Sequence, residues 1–139
     1  MNEEDAYTYL SSAGFDPHQA AGIVGNLFQE SSMNPSAVNP RSGAYGMAQY
    51  LGPRKKALYT FAKQSGRSVS DPKVQLEFMV NELNGPEAKA MAQLRQAKTP
   101  EEAAHAFRVH YERPGASEAN DERRYSKARQ VFESMIGKG

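Results

Sequence analysis

The sequence predicts one α-helical domain with a small β-hairpin or irregular loop element around residues 31–52. Three observations carry this: apolar residues recur at helical spacing in several separate stretches, prolines stand where helices would begin, and no stretch alternates as a strand would. A short helix is expected near 3–12. Asp16-Pro17 then opens a helix whose apolar stripe is Ala20, Ile23, Val24, Leu27 and Phe28. Gly52-Pro53 opens the next, with Ala57, Leu58, Phe61 and Ala62, and Asp71-Pro72 precedes Leu76, Met79, Val80 and Leu83. Gly85-Pro86 marks a short helix over 86–96, and Thr99-Pro100 one carrying Ala103, Ala104, Phe107 and Tyr111. The last stripe is Tyr125, Ala128, Phe132, Met135 and Ile136. Proline loses nothing at the first helical position, because that N–H has no intrahelical partner. Asp16, Asp71 and Thr99 can cap the free N–H groups behind them, and Thr99 with Glu102 fits a capping box. Stops follow at Gly14, Gly66, Asn84-Gly85 and Gly137.

Ser31 to Gly52 breaks the pattern. Serine, asparagine, proline and glycine crowd this stretch, with Tyr45, Met47 and Tyr50 among them, a composition that cannot hold a helix. Long ordered loops in small domains are usually functional.

Composition narrows the classes of function. The chain has 139 residues, one domain's length, and 17 Lys and Arg against 16 Asp and Glu leave a net charge of +1, unlike the strongly basic balance of a nucleic-acid binder. There are no cysteines, hence no disulfide framework, thiolate metal site or cysteine nucleophile. No run of about 18 apolar residues is present to span a membrane. The start, Met1-Asn2-Glu3-Glu4-Asp5, is acidic where a secretory signal is basic and then apolar. The expectation is a soluble domain from a reducing compartment, or one needing no disulfides, carried across the membrane by something else if it acts outside.

Glu30 is the first candidate for chemistry. On a wheel of about 100° per residue it falls roughly 80–100° from the centre of the 20–28 stripe, at the margin of the buried face and on the last turn. Partial burial and the negative helix end both favour the protonated carboxyl, which can then serve as a general acid. The alternative is a solvated last-turn glutamate.

The loop after it bears on that choice. Glu30-Ser31 is followed by Asn34-Pro35, Ala37 and Ser42-Gly43-Ala44-Tyr45-Gly46-Met47-Ala48-Gln49. This resembles the signature of the lysozyme-like superfamily, above all the lytic transglycosylases, in which a catalytic glutamate and a serine precede a Gly-Ala-x-Gly-Leu-Met-Gln-like segment. Gly22-Ile23-Val24-Gly25-Asn26-Leu27, the stretch Gln75 to Leu83 and Tyr111-Glu112-Arg113-Pro114 add a resemblance to the phage tail lysozyme family, over about 20 to about 128 of the chain. Ala48 departs from the transglycosylase pattern, which carries methionine there, and leaves the product chemistry open.

The resemblance implies a lysozyme-like fold and a peptidoglycan hydrolase. It would cleave the β-1,4 bond between N-acetylmuramic acid and N-acetylglucosamine with Glu30 as general acid/base, without metal or cofactor. The implied partner is the peptidoglycan glycan strand, with no nucleic acid and no membrane insertion. The implied setting is a bacteriophage lysis protein (an endolysin) or a tail-associated enzyme, monomeric or part of a virion or tail assembly. It would be made in the bacterial cytoplasm and act on the cell wall. A lytic transglycosylase releasing 1,6-anhydro products is the alternative within the class. An inactive helical wall-binding or virion assembly module is the alternative outside it.

Around Glu30 the candidate substrate-binding residues are Ser31, Tyr45, Gly46, Met47, Gln49, Tyr50, Tyr111 and Glu112. Gly43 and Gly46 allow close backbone approach to a ligand, Gln49 can bond hydroxyl or acetamido groups, and Tyr45 and Tyr50 can stack on sugar faces or pack in the core. Ser31 is expected to bond locally, and Asn34 and Asn39 to form turns. Tyr111 reads as core with a possible place at the cleft edge. No Asp or Glu lies between Glu30 and Asp71. A second catalytic carboxylate would therefore have to come from Asp71, better explained as a cap, or from Glu112, which otherwise pairs with an arginine. The remaining alternative is the substrate's own N-acetyl group as internal nucleophile. His105 and His110, about 140° apart on a helix, do not form a zinc-peptidase pair, and no phosphate-binding or Gly-x-Ser-x-Gly motif occurs. The positive clusters Arg54, Lys55, Lys56, Lys63, Arg67 and Arg123, Arg124, Lys127, Arg129 read as solvated faces, or as a local field for an anionic wall.

Overall fold

Proline and short polar caps start the helices at the positions the sequence marks. In the computed structural model, which describes residues 1–114 and 120–137, α1 spans Glu3–Ser12, α2 Pro17–Ser31, α3 Gly52–Ser65 and α4 Pro72–Leu83. Helix α5 follows at Ala88–Gln96, α6 at Pro100–Phe107 and α7 at Asp121–Ile136, with a π-helical segment over Arg108–Glu112 continuing α6. Asn2 Oδ1 accepts from Asp5 N, Asp71 Oδ1 from Lys73 N and Thr99 Oγ1 from Glu102 N, so each satisfies a first-turn donor. Pro86 is the exception among the prolines. It lies in a turn closed by Glu87 N donating to Glu82 O at 2.7 Å, and α5 begins two residues later, at Ala88.

Helix α2 is the central element, packed against both α6 and α7. Two glycines make this possible. A Cβ at Gly22 would stand 2.5 Å from the Ala103 Cβ of α6, and one at Gly25 would stand 2.6 Å from the Arg124 carbonyl oxygen of α7. Ile23, Val24 and Leu27 of α2 have no solvent exposure and meet Leu10, Leu94, Ala103 and Phe107 in one core.

Two stripes are rotated from their expected phase. On α7 the buried residues are Arg124, Ala128 and Val131, while Ile136 is exposed. On α3 Leu58 and Ala62 are buried and Ala57 is exposed. The 31–52 stretch is an irregular loop with two isolated antiparallel bridges, Val38 with Tyr45 and Tyr45 with Tyr50. Tyr45 N donates to Tyr50 O at 3.0 Å and Tyr50 N to Tyr45 O at 2.9 Å, closing the tight end of this element. Asn34 and Asn39 form its turns, their Oδ1 atoms accepting from Ser36 N and Arg41 N.

Candidate active site

Helix α2 delivers Glu30 to the edge of the loop. The helix ends at once, with Ser32 left-handed (φ 54°) and its N–H donating to Phe28 O. Ser31 Oγ lies 2.8 Å from Met47 O and 3.1 Å from Leu27 O, so its hydroxyl proton joins the loop to the last turn of the helix. The Glu30 side chain is mostly buried, 14% exposed.

Its partner comes from the far end of the chain. Arg124 of α7 has no solvent exposure and donates from Nη2 to Glu30 Oε2 at 2.7 Å and from Nη1 to Asn26 Oδ1 at 2.7 Å. Asn26 is itself buried, its amide nitrogen donating to Gly22 O and Ala104 O, which fixes its oxygen toward the guanidinium. Arg124 is therefore not part of a solvated basic face. The expectation for Glu30 weighed only burial and the helix end, and omitted this cation. The signal was present in the sequence: Asn26 interrupts an apolar stripe one turn before Glu30, and Arg124 stands one turn before Ala128. Both are polar residues in buried phase, which need partners.

Glu112, from the π-helical segment, brings a second carboxyl to this cluster. Its Oε2 is sealed from solvent and has no hydrogen-bond partner. Burial, then the charge of Glu30, push its carboxyl well above the usual carboxylate range, and the opposing pull of Arg124 and Arg54 does not reverse this. The π geometry is set by Arg113 N donating to Arg108 O, five residues back, at 2.8 Å. Single π turns recur at functional sites because they re-aim the side chains they carry.

The loop is held from below by Gln75 of α4, a residue the sequence reading did not assign to the site. Gln75 is buried; its Nε2 donates to Pro35 O and Val69 O at 2.8 Å each, and its Oε1 accepts from Met47 N at 2.9 Å. Gly46 (φ 88°) packs on it so closely that a Cβ would sit 2.8 Å from Gln75 Oε1. Gln49, left-handed at φ 59°, donates its amide nitrogen to Ala37 O and Gly46 O, while its side-chain oxygen takes no bond from the described residues.

The remaining candidates divide by exposure. Met47 is 1% exposed and Tyr50 2%. Tyr50 and Tyr111 hydroxyls stand 2.5 Å apart, and Tyr111 donates to Glu82 Oε1 at 2.5 Å. Arg54 grips Glu82 with Nε and Nη2, donates Nη1 to Tyr111 O, and lies 4.4 Å from the centre of the Tyr111 ring. Arg54, like Arg124, thus belongs to a buried network. Burial raises both phenols well above their usual range, Glu82 adding to the effect on Tyr50 and Tyr50 to that on Tyr111, so both stay neutral. Tyr45 is nearly buried and tilts against Tyr59, whose ring is exposed. Asp71 caps α4, and no group of three or more His, Asp or Glu residues able to hold a metal occurs among the described residues.

A glutamate at a helix end, a glycine-bearing loop bonded to its serine neighbour and a Tyr-Glu pair on the π-helical segment are arranged over the length of chain that the family model for phage tail lysozymes matches, residues 1–135. The chain belongs to the phage tail lysozyme family. Membership brings a phage-associated, lysozyme-like action on peptidoglycan. In this phage tail lysozyme no described helix is long and apolar enough to cross a membrane.

Proposed function

We propose that this phage tail lysozyme cleaves the β-1,4 bond between N-acetylmuramic acid and N-acetylglucosamine, with Glu30 as general acid and then general base. The observation that carries the reading is the setting of Glu30: a mostly buried side chain on the last turn of α2, directly before the loop whose Met47 carbonyl its neighbour Ser31 bonds, and with a charge that helps hold Glu112 toward its protonated form. Glu30 protonates the glycosidic oxygen as the bond breaks, and the sugar passes through an oxocarbenium-like state. The loop supplies no carboxylate to the opposite face, since no Asp or Glu lies between Glu30 and Asp71. The substrate's acetamido oxygen then stabilises that state, and Glu30, now a carboxylate, activates the water that completes hydrolysis. Gln49's side-chain oxygen and the backbone around Gly46 contact the sugars; Met47, Tyr50 and Tyr111 support the loop from within.

Glu30→Gln tests the reading. It should fold as the wild type does and clear purified peptidoglycan at least about 100-fold more slowly. Equal clearing by both proteins removes Glu30 from the reaction, and no clearing by either points to a wall-binding module. Mass spectrometry of the digest decides the product: a fragment lighter by one water is the 1,6-anhydro sugar of a transglycosylase.

A further inference from the structure

The stretch between Glu30 and Asp71 holds six Lys and Arg and no acid. Arg54 is paired with Glu82 and Arg67 with Glu77. Arg41, Lys55, Lys56 and Lys63 form no ion pair among the described residues. The chain's net charge of +1 thus hides a segment whose positive charge is largely uncompensated.

Part of that charge borders a groove of about 570 Å³, lined by Ser42 and Gly43 of the loop, by Leu51, and by Lys55, Lys56 and Tyr59 of α3. Lys55 Nζ donates to Gly43 O at 2.8 Å, which ties the loop to α3 and holds the ammonium at the groove. Lys56 is exposed. Leu51 and Tyr59 are two of the four large apolar side chains exposed among the described residues, at 48% and 45%. The Tyr59 ring is braced by Tyr45, with centroids 5.6 Å apart. Lys56, Tyr59 and Lys63 follow at intervals of three and four, so one face of α3 carries two cations around an aromatic ring.

Apolar walls with uncompensated cations fit an anionic occupant that also carries small apolar groups. The sugars of peptidoglycan do not supply the anion: N-acetylglucosamine is neutral, and the lactyl carboxyl of N-acetylmuramic acid is consumed in its amide bond to the stem peptide. The stem peptide does supply it, with carboxylates set among alanine methyl groups. We propose that this groove binds the stem peptide of peptidoglycan, with Lys55 and Lys56 opposite its carboxylates and Leu51 and Tyr59 against its methyl groups. This rests on the peptide-bearing strand being the substrate, and not on Glu30 being the acid. Groove and acid share one loop. Tyr45, packed on Tyr59, stands two residues from Met47, at most about 7 Å along the chain, and the Met47 carbonyl takes the bond from Ser31. The peptide is tethered to the strand being cut, so weak contacts here act at high effective concentration and lower KM.

The test is an NMR titration of the 15N-labelled whole chain with a synthetic stem peptide, once as the free acid and once as its carboxamide. No bond is cleaved, so the readout is independent of the catalytic assignment. The free acid should shift the amide signals of Leu51, Lys55, Lys56 and Tyr59, with weaker binding at about 0.5 M salt, and the carboxamide should not. Lys56→Gln should weaken the free acid about two- to fivefold, and adding Tyr59→Ser should weaken it further. The ratio of kcat/KM on native wall to that on wall with its carboxyls converted to amides should fall by a similar factor, through KM. If either variant does not fold, the wild-type titration decides alone. No shifts at these amides, equal shifts from acid and carboxamide, or an unchanged ratio in folded Lys56→Gln overturn the proposal. A glycerol phosphate oligomer that shifts the same signals at lower concentration than the peptide assigns the groove to a phosphate polymer and overturns it too. Peptide binding alongside a fully active Glu30→Gln would reject the catalytic reading and leave the groove standing. An inactive Glu30→Gln with no shifts would do the reverse.

Discussion

Gly25 and Arg124 meet backbone to backbone: a Cβ on Gly25 would stand 2.6 Å from the Arg124 carbonyl oxygen. Only this approach of α2 to α7 lets the Arg124 side chain lie along α2 and reach Asn26 and Glu30 together. Gly25→Ala should therefore destabilise the protein by about 1–3 kcal/mol through overpacking against backbone. Its gain in helix propensity, about 1 kcal/mol, offsets part of this. Urea unfolding measures the loss, and activity should fall further than the folded fraction does, because the Arg124–Glu30 pair is displaced.

Tyr111→Phe separates support from substrate contact. The hydroxyl it removes donates to Glu82 and lies beside the Tyr50 hydroxyl, both buried. Leaving these partners short of one bond should lower stability by about 1–3 kcal/mol. KM on peptidoglycan should be unchanged when measured well below the melting temperature. A raised KM with unchanged stability would place the phenol in the cleft instead.

Gln75→Leu removes the two bonds that hold the loop from α4, to Met47 N–H and the Pro35 carbonyl, and a third to the Val69 carbonyl just before α4. A stability loss of about 1–3 kcal/mol is expected, together with faster hydrogen exchange at the Met47 amide. The catalytic rate should drop more than in a surface control, since Ser31 beside Glu30 bonds the Met47 carbonyl.

The stability of the wild type should respond to pH through Glu112 with a definite sign. Burial, first, and the charge of Glu30 raise its folded-state pKa well above the ordinary 4.5. Between those two values the folded state holds more protons than the unfolded one, so this group's contribution falls as pH rises through that window and is constant above it. Glu112→Gln cannot ionise. The stability difference, variant minus wild type, should therefore become more positive as pH rises from about 4.5. Urea midpoints at several pH values measure it, and a difference that does not change with pH would mean Glu112 ionises in the fold as freely as in the unfolded chain.

Helices were legible because their signals are local: proline at the first turn, Asp71 and Thr99 as caps, and apolar residues three and four apart. The same locality misplaced Pro86, where a turn bond from Glu87 to Glu82 competes with the helix start. Glu30 could be singled out from its place at the end of a stripe, before a loop that cannot be helical. The pairings that give it a chemical setting could not. Arg124 bonds Glu30 across 94 positions, and Tyr111 bonds Glu82 across 29. Charge in a sequence has sign but no address; whether an arginine is solvated or buried depends on which helix crosses its own and how closely. Amino-acid order alone therefore determined the helices, the irregular loop and the candidate acid. Tertiary packing, through the close crossings at Gly22 and Gly25, decided which cation and which second carboxyl stand beside that acid, because electrostatic partnership acts over a few ångströms of space rather than along the chain.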